Sequence, residues 1–229
     1  IFNFQGAIAA KLLNKRHVWH CREDLSLPYF KFIISYKKII SSMELLSDKI
    51  ICISEIEERL FNNKSKVEVI YNTWQLSSDY KIKKNKIKDN GIVRYAQFGT
   101  IFPNKNQKWF VNSFIKLCEE NDNCVAYIIG KKIPSCRGYY QAIIDKINKA
   151  GLSERIKVIP FTENINEWYE KIDVMVNPMM RGIIGRITIE AMGYGIPCIG
   201  HNGEIEQGIV EHGKNGLLVP FDNVKELTN

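Results

Sequence analysis

The chain has 229 residues, 45% of them hydrophobic and 25% charged, with a formal net charge of +7 at pH 7, an ordinary globular composition with room for two compact units. No apolar run approaches the roughly 18 residues of a membrane span, and no signal-peptide pattern opens the chain. The positive charge favours acidic partners, but it is mostly lysine spread over many segments without a nucleic-acid-binding module, which argues against nucleic acid.

The first residue is Ile1 rather than Met, so the natural N-terminus is expected upstream. Residues 1–16 predict the end of a loop and then a helix with Ala7, Ile8, Ala10, Leu12 and Leu13 near its buried side. A short strand, His17 to Cys21, follows and runs out in His20, Cys21, Arg22, Glu23 and Asp24. Ser26 and Pro28 suit the cap and first turn of a helix to about Leu46, with Phe32, Ile33, Tyr36, Ile39, Ile40 and Met43 on its apolar side. Lys31, Lys37 and Lys38 make its other side basic, either a solvated surface or a seat for peripheral contact with an anionic membrane. Asp48 to Ser54 reads as a buried strand, Ser54 with Glu57 as a capping box, and Lys66 to Tyr71 as another strand. Residues 75–91, which include KIKKNKIK, have no core-facing period and read as a linker. The six cysteines (Cys21, Cys52, Cys118, Cys124, Cys136 and Cys198) contain no C-x-x-C pair and read as reduced core thiols of a cytosolic protein.

From about Ile92 strands and helices alternate: strand 92–98, helix 107–119, strand 125–129, helix 139–150, strand 156–159, a short helix around Trp168 and strand 174–176. Such alternation predicts a parallel sheet with helices on both faces and ligands outside the carboxyl ends of its strands. Gly99, Lys105, Gly130, Phe161 and the 181–186 loop all lie just past strand ends. A strand, a glycine turn and a lysine invite phosphate, although neither the P-loop nor the dinucleotide glycine spacing is present. The stretch from Val174 to Gly200 reads as a strand ending at Asn177-Pro178, a glycine-bearing loop, a helix from about Gly185, a stop at Gly195 and Pro197, and a strand. The helix N-terminus suits a diphosphate, and Glu190 lies roughly 7 Å further along the axis, where a carboxylate can hold a diol. The implied ligand is a nucleotide sugar; the alternative is a solvated glutamate on a short helix.

Asn177-Pro178, the loop and GRITIEAMGYGIPCIG together resemble the nucleotide-binding segment of retaining glycosyltransferases of the GT-B fold, glycosyltransferase family 4 (glycosyl transferases group 1). The resemblance covers nearly the whole chain, strongest over residues 172–220 and weakest before residue 48. It implies an α/β architecture of two Rossmann-like, doubly wound parallel-sheet domains, the first incomplete through N-terminal truncation. Residues 1–74 would be the C-terminal part of the acceptor-side domain, 75–91 the linker and 92–229 the nucleotide-sugar donor domain.

Several site residues follow from the resemblance alone. Glu190 matches the second of the family's two glutamates, the one that binds the donor ribose, while Gly182 stands at the place of the first. The loop of Gly182, Ile183, Ile184 and Gly185 would reach the sugar through its backbone. Gly99 to Lys105 resembles the family's Gly-Arg-x-x-x-x-Lys turn, whose two cations contact the diphosphate. Lys105 matches the lysine, Thr100 stands where arginine is usual, and Arg186 either replaces that cation or is an exposed arginine at a helix start. His20 matches a histidine that closes a strand of the first domain and faces the donor sugar and phosphate; the alternative is a histidine bonded to backbone at a strand end. Phe161-Thr162 would pass beside the base through its backbone, the alternative for Phe161 being core packing. Asn202 and Gly203 match the glycine-rich donor loop, Gly208 stands where a glutamate is usual, and a helix start at Val224 to Leu227 ends the chain before the segment that recrosses to the first domain.

The implied reaction moves a sugar from a nucleoside-diphosphate sugar of UDP or GDP type to a hydroxyl of a saccharide or lipid-linked acceptor, with retention at the anomeric carbon. Surface polysaccharide or glycolipid biosynthesis is the expected setting, in the cytoplasm or at the inner face of the plasma membrane. His20 and Glu190 are the expected catalytic residues. No cofactor or metal is required beyond the nucleotide-sugar co-substrate, and the lack of an Asp-x-Asp pair counts against the metal-dependent alternative architecture. Two other readings stay open: a nucleotide-sugar epimerase of related fold, and a catalytically inactive nucleotide-sugar-binding partner subunit, which Gly182, Thr100 and Gly208 favour.

Overall fold

The structure, a computed structural model, describes residues 4–26, 34–74, 91–179, 185–201 and 209–220. These fall into two compact units, one of the described residues up to Thr73 and one of those from Trp74 on. The expected linker lies outside the described residues except for Gly91, and so does the helix start at 224–227.

The first unit contains α1 (Gln5–Leu12), β1 (Val18–Cys21), α2 (Tyr36–Leu46), β2 (Lys49–Cys52), α3 (Glu55–Glu58) and β3 (Val67–Val69). Its three strands are parallel in the order β1-β2-β3. Ile39, Ile40 and Met43 share one face of α2 and pack with Cys21, Ile50, Cys52 and Phe61. The Ser54 hydroxyl accepts from the Ile56 amide at 3.2 Å and donates to Glu57 Oε2 at 2.6 Å, capping α3 as its sequence predicts. That cap draws Glu57 fully into the core, where burial pushes its carboxyl above the usual carboxylate range.

Two expectations for this unit are corrected. Only Ala7 of α1 is buried, while Leu12 and Leu13 are 81% and 69% exposed. Apolar residues surround that short helix, so their pattern specifies no single face, and α2 is the helix packed beside it. Ser26 does not cap α2. Its amide and hydroxyl both donate to Asp24 Oδ1, at 2.9 and 2.6 Å, in an Asx turn, and Ser35 holds the cap position just before Tyr36. Pro28, Lys31, Phe32 and Ile33 lie outside the described residues.

The second unit contains β4 (Val93–Phe98), α4 (Gln107–Glu120), β5 (Cys124–Ile129), α5 (Arg137–Lys149), β6 (Ile156–Ile159), α6 (Asn166–Tyr169), β7 (Val174–Asn177), α7 (Arg186–Gly193), β8 (Cys198–His201) and β9 (Gly216–Val219). All six strands are parallel, in the order β6-β5-β4-β7-β8-β9. Two-residue alternation sorts their side chains onto two faces. Ala126, Ile128, Val176 and Ile199 pack with Phe110, Phe114, Ile143 and Ile147 of α4 and α5. Ala96, Phe98, Met175 and Cys198 pack with Tyr169 of α6 and Ala191 of α7. The sheet is thus doubly wound, and the chain changes face between β6 and β7.

Helix ends follow from local chemistry. Gly195 ends α7 at φ +75°, a conformation that costs glycine little. Its amide donates to the Met192 carbonyl at 2.9 Å and the Ile196 amide to Ala191 at 3.0 Å, the paired bonds of a Schellman stop. Lys146 and Lys149 occupy the last turn of α5, where cations complement the helix dipole.

Phe114 is fully buried between α4 and the sheet, so Phe114→Ala should lower unfolding free energy by about 3–5 kcal/mol in urea titration. Because the native Glu57 carboxyl is raised, its favourable share of stability is complete below the ordinary carboxylate range and declines as pH rises through its elevated native value. Glu57→Gln should flatten that decline in urea titrations repeated across pH.

Candidate functional site

The doubly wound strand order reverses between β4 and β7, and in open α/β sheets such a switch point leaves a crevice at the carboxyl ends of the strands, where ligands bind. The residues past the ends of these strands therefore define the candidate site. Strand pairing continues beyond β4 and β5: the Gly99 amide donates to Ile129 at 2.9 Å and the Ile101 amide to Lys131 at 2.9 Å. The close approach depends on glycine, because a Cβ on Gly130 would lie 1.8 Å from the Gly99 carbonyl oxygen. Gly99 itself sits at φ +134° with the stem of Lys105 against it.

The turn after Gly99 brings Lys105 back across the strand ends. Pro103 to Lys105 form one 3-10 turn, and Asn106 at φ +54° opens α4. Two buried amides grip the turn: Gln97 donates to the Lys105 carbonyl at 2.5 Å, and Gln107 to the Thr100 carbonyl at 3.0 Å. The half-buried Lys105 side chain places its ammonium 3.1 Å from Met179 Sδ. Lys105 thereby links the end of β4 to the chain leaving β7. A thioether accepts hydrogen bonds weakly, so an oxyanion arriving there would displace it.

On the other side of the crevice, buried Asn177 at the end of β7 donates to Thr188 Oγ1 at 3.2 Å. That bond fixes the first turn of α7 beside the strand end, with Gly185 as N-cap. The helix start presents amide N–H groups and a partial positive charge. Arg186 is exposed at the first helical position. Glu190, one turn on, is half-buried, and its Oε2 accepts from the Tyr169 hydroxyl at 2.9 Å. Burial, and then the Glu190 charge, pushes the Tyr169 hydroxyl far up its titration range, so it remains a proton donor.

The structure thus brings Gly99, Thr100, Lys105, Gly185, Arg186 and Glu190 into one unit around the switch point. Phe161 follows β6 and is 63% exposed, so it takes no part in core packing. His20 is exposed in β1, one residue before the strand's last, in the first unit. Gly182, Ile183, Ile184, Asn202 and Gly203 lie outside the described residues. Among the described residues no group of three His, Cys, Asp or Glu could hold a metal ion, and no helix is long and apolar enough to cross a membrane. Sequence reading missed Gln97, Gln107, Tyr169 and Thr188. A polar residue between the buried apolar residues Ala96 and Phe98 was a signal for Gln97; Tyr169 and Thr188 have partners 21 and 11 residues away, and the Gln107 bond to Thr100 depends on how the intervening turn folds back.

Comparison with known proteins gives a family model described as glycosyl transferases group 1, matching residues 93–229. The lipopolysaccharide core biosynthesis mannosyltransferase LpsB of Rhizobium meliloti is 26% identical over 134 residues, 58% of this chain and 38% of that protein. The UDP-Gal:alpha-D-GlcNAc-diphosphoundecaprenol alpha-1,3-galactosyltransferase of Escherichia coli is 25% identical over 248 residues, covering 98% of this chain and 61% of its own length. Anabaena HepE, solved in complex with UDP and glucose, superposes with a TM-score of 0.80 at 22% identity over 97% of this chain and 62% of that one. The fold is therefore that of GT-B glycosyltransferases, and the chain spans between 38% and 64% of the length of the curated relatives it matches.

Gly130→Ala should lower stability by about 1–3 kcal/mol, the usual cost of overpacking, and amide exchange should quicken at Gly99 and Ile101. Tyr169→Phe should cost about 1 kcal/mol by the same titration, the worth of one hydrogen bond to a partly solvated carboxylate.

Proposed function

The chain belongs to the glycosyl transferases group 1 family, and from that premise we propose that it transfers a sugar from a nucleoside-diphosphate sugar to a hydroxyl acceptor, with retention at the anomeric carbon. The observation that carries this reading is Lys105 at 3.1 Å from Met179, a cation held across the switch point of a doubly wound sheet. Lys105 and the start of α7 hold the diphosphate. Glu190, steadied by Tyr169, accepts hydrogen bonds from the ribose hydroxyls. The backbone at Phe161-Thr162 passes beside the base, with the loop of Gly182, Ile183 and Ile184 and the residues Asn202 and Gly203 completing the donor site. Residues 92–229 form the donor domain, and residues 1–74, which carry His20, form part of the acceptor-side domain.

Catalysis in this scheme is electrostatic. As the glycosidic bond to phosphate breaks, negative charge grows on the departing diphosphate, and a fixed ammonium and helix amides stabilise it more in the transition state than in the ground state. Binding both substrates also aligns the acceptor hydroxyl with the anomeric carbon. No metal enters the scheme. UDP is the first donor nucleotide to test, because HepE binds UDP and glucose and the Escherichia coli relative is named for UDP-Gal; GDP is the alternative. The names of the bacterial relatives support surface polysaccharide or glycolipid assembly with a saccharide or lipid-linked acceptor.

Thr100 and Gly182, standing where the family resemblance predicts arginine and glutamate, favour a second reading, a nucleotide-sugar-binding partner without turnover. Calorimetric titration of the full chain with UDP, GDP and ADP separates donor binding from its absence. Glu190→Gln should weaken the nucleotide by about 1.5–3 kcal/mol. Lys105→Ala should weaken UDP far more than uridine. Equal losses for both ligands would remove Lys105 from the diphosphate site, and binding without acceptor-dependent transfer of labelled sugar would select the second reading.

A further inference from the structure

Gln97 and Gln107 are 2% and 0% exposed, yet each is only half satisfied. The amide nitrogen of Gln97 donates to the Lys105 carbonyl, and that of Gln107 to the Thr100 carbonyl. The amide oxygen of each is buried without a hydrogen-bond partner among the described residues. Reversing either amide does not help, since a carbonyl oxygen cannot donate and would then face oxygen with oxygen. A buried acceptor left alone is costly, so an apolar side chain of similar volume would suit this core better. Both glutamines spend their only satisfied group on the same short turn, gripping it near each end.

The arrangement follows from the fold. Along β4, Tyr95 packs toward α4 while Ala96 and Phe98 pack toward α7, so alternation places Gln97 on the α4 face. Gln107 is the first residue of α4. The two amides therefore approach the Gly99–Asn106 turn from the same side. The Gly99 and Ile101 amides still pair with the chain continuing β5, but from Phe102 to Asn106 the backbone bonds run from Lys105 to Phe102 and from Asn106 to Pro103, which closes the 3-10 turn locally without fixing that part of it to the sheet. The glutamine bonds supply that attachment.

We propose that Gln97 and Gln107 are positioning residues that hold the Thr100–Lys105 turn so that the Lys105 ammonium stays at the carboxyl end of β7, ready for an anionic oxygen. The inference rests on the donor-site reading of Lys105. Neither glutamine touches the ligand; both act through Lys105.

The test uses Gln97→Met and Gln107→Met in the full chain, alone and combined with Lys105→Ala. Each single variant should weaken UDP by about fivefold or more, the factor expected from about 1 kcal/mol, while uridine affinity is unchanged. Thermal melting should stay level or rise, because an orphaned polar atom has been removed. In the Lys105→Ala background the same replacements should cause no further loss of UDP, the non-additivity of groups that act as a unit. Equal losses with and without Lys105, or UDP binding that weakens only in step with a falling melting temperature, would overturn the proposal. If the unmodified chain binds none of UDP, GDP and ADP, the donor-site reading fails instead. Amide exchange then decides the positioning claim: it should quicken at Lys105 and Asn106 but not at Phe110 and Val111, and unchanged exchange at the turn would overturn it.

Discussion

Two strand ends meet at Gly99 and Gly130 at a separation that excludes any side chain on Gly130, and the candidate site depends on that approach. With the ends of β4 and β5 locked together, backbone pairing continues through Ile101 and Lys131. The turn that follows must then fold back over the top of β4. Lys105 is carried by that return toward Met179 and the end of β7. A bulkier residue at position 130 would spread the strand ends and move the cation with them.

The opposite wall is built from different interactions. Asn177 and Thr188 join strand to helix through one buried hydrogen bond, while Tyr169 holds Glu190 from beneath. Tyr169 is itself fixed by aromatic neighbours, with ring centroids 5.1 Å from Phe98 and 5.0 Å from Tyr194. Such contacts hold a polar tip in place through a rigid apolar body. The cationic wall is gripped by amides that bind backbone carbonyls, and the anionic wall by a phenol that donates to one oxygen of the Glu190 carboxylate.

These supports carry an energetic conflict. Gln97, Gln107 and Glu57 each place a polar oxygen in the core without a partner among the described residues. A chain selected only for stability would replace them with apolar side chains of the same volume. Gln97 and Gln107 lie directly beneath the candidate site, where local packing can yield to function.

Much of this was legible in the chain itself. Alternating strands and helices announced a parallel sheet, Gly195 and Pro197 announced the end of α7, and the glycine turn with Lys105 marked the carboxyl end of β4, because strand and helix periods and backbone stereochemistry act over a few residues. Leu12 and Leu13 were misjudged because an apolar pattern reports what a helix could bury, not whether a neighbour is there to cover it. Phe161 shows the same limit in the other direction, since an aromatic residue after a strand says nothing about which way it turns. The strand order, the approach of Gly130 to Gly99, and the pairings of Gln97 with Lys105 and Tyr169 with Glu190 came only with the tertiary structure. Crossovers create the approaches of Gly130 to Gly99 and of Tyr169 to Glu190, while the bond from Gln97 to Lys105 depends on how the turn between them folds back over its own strand, which no local propensity encodes.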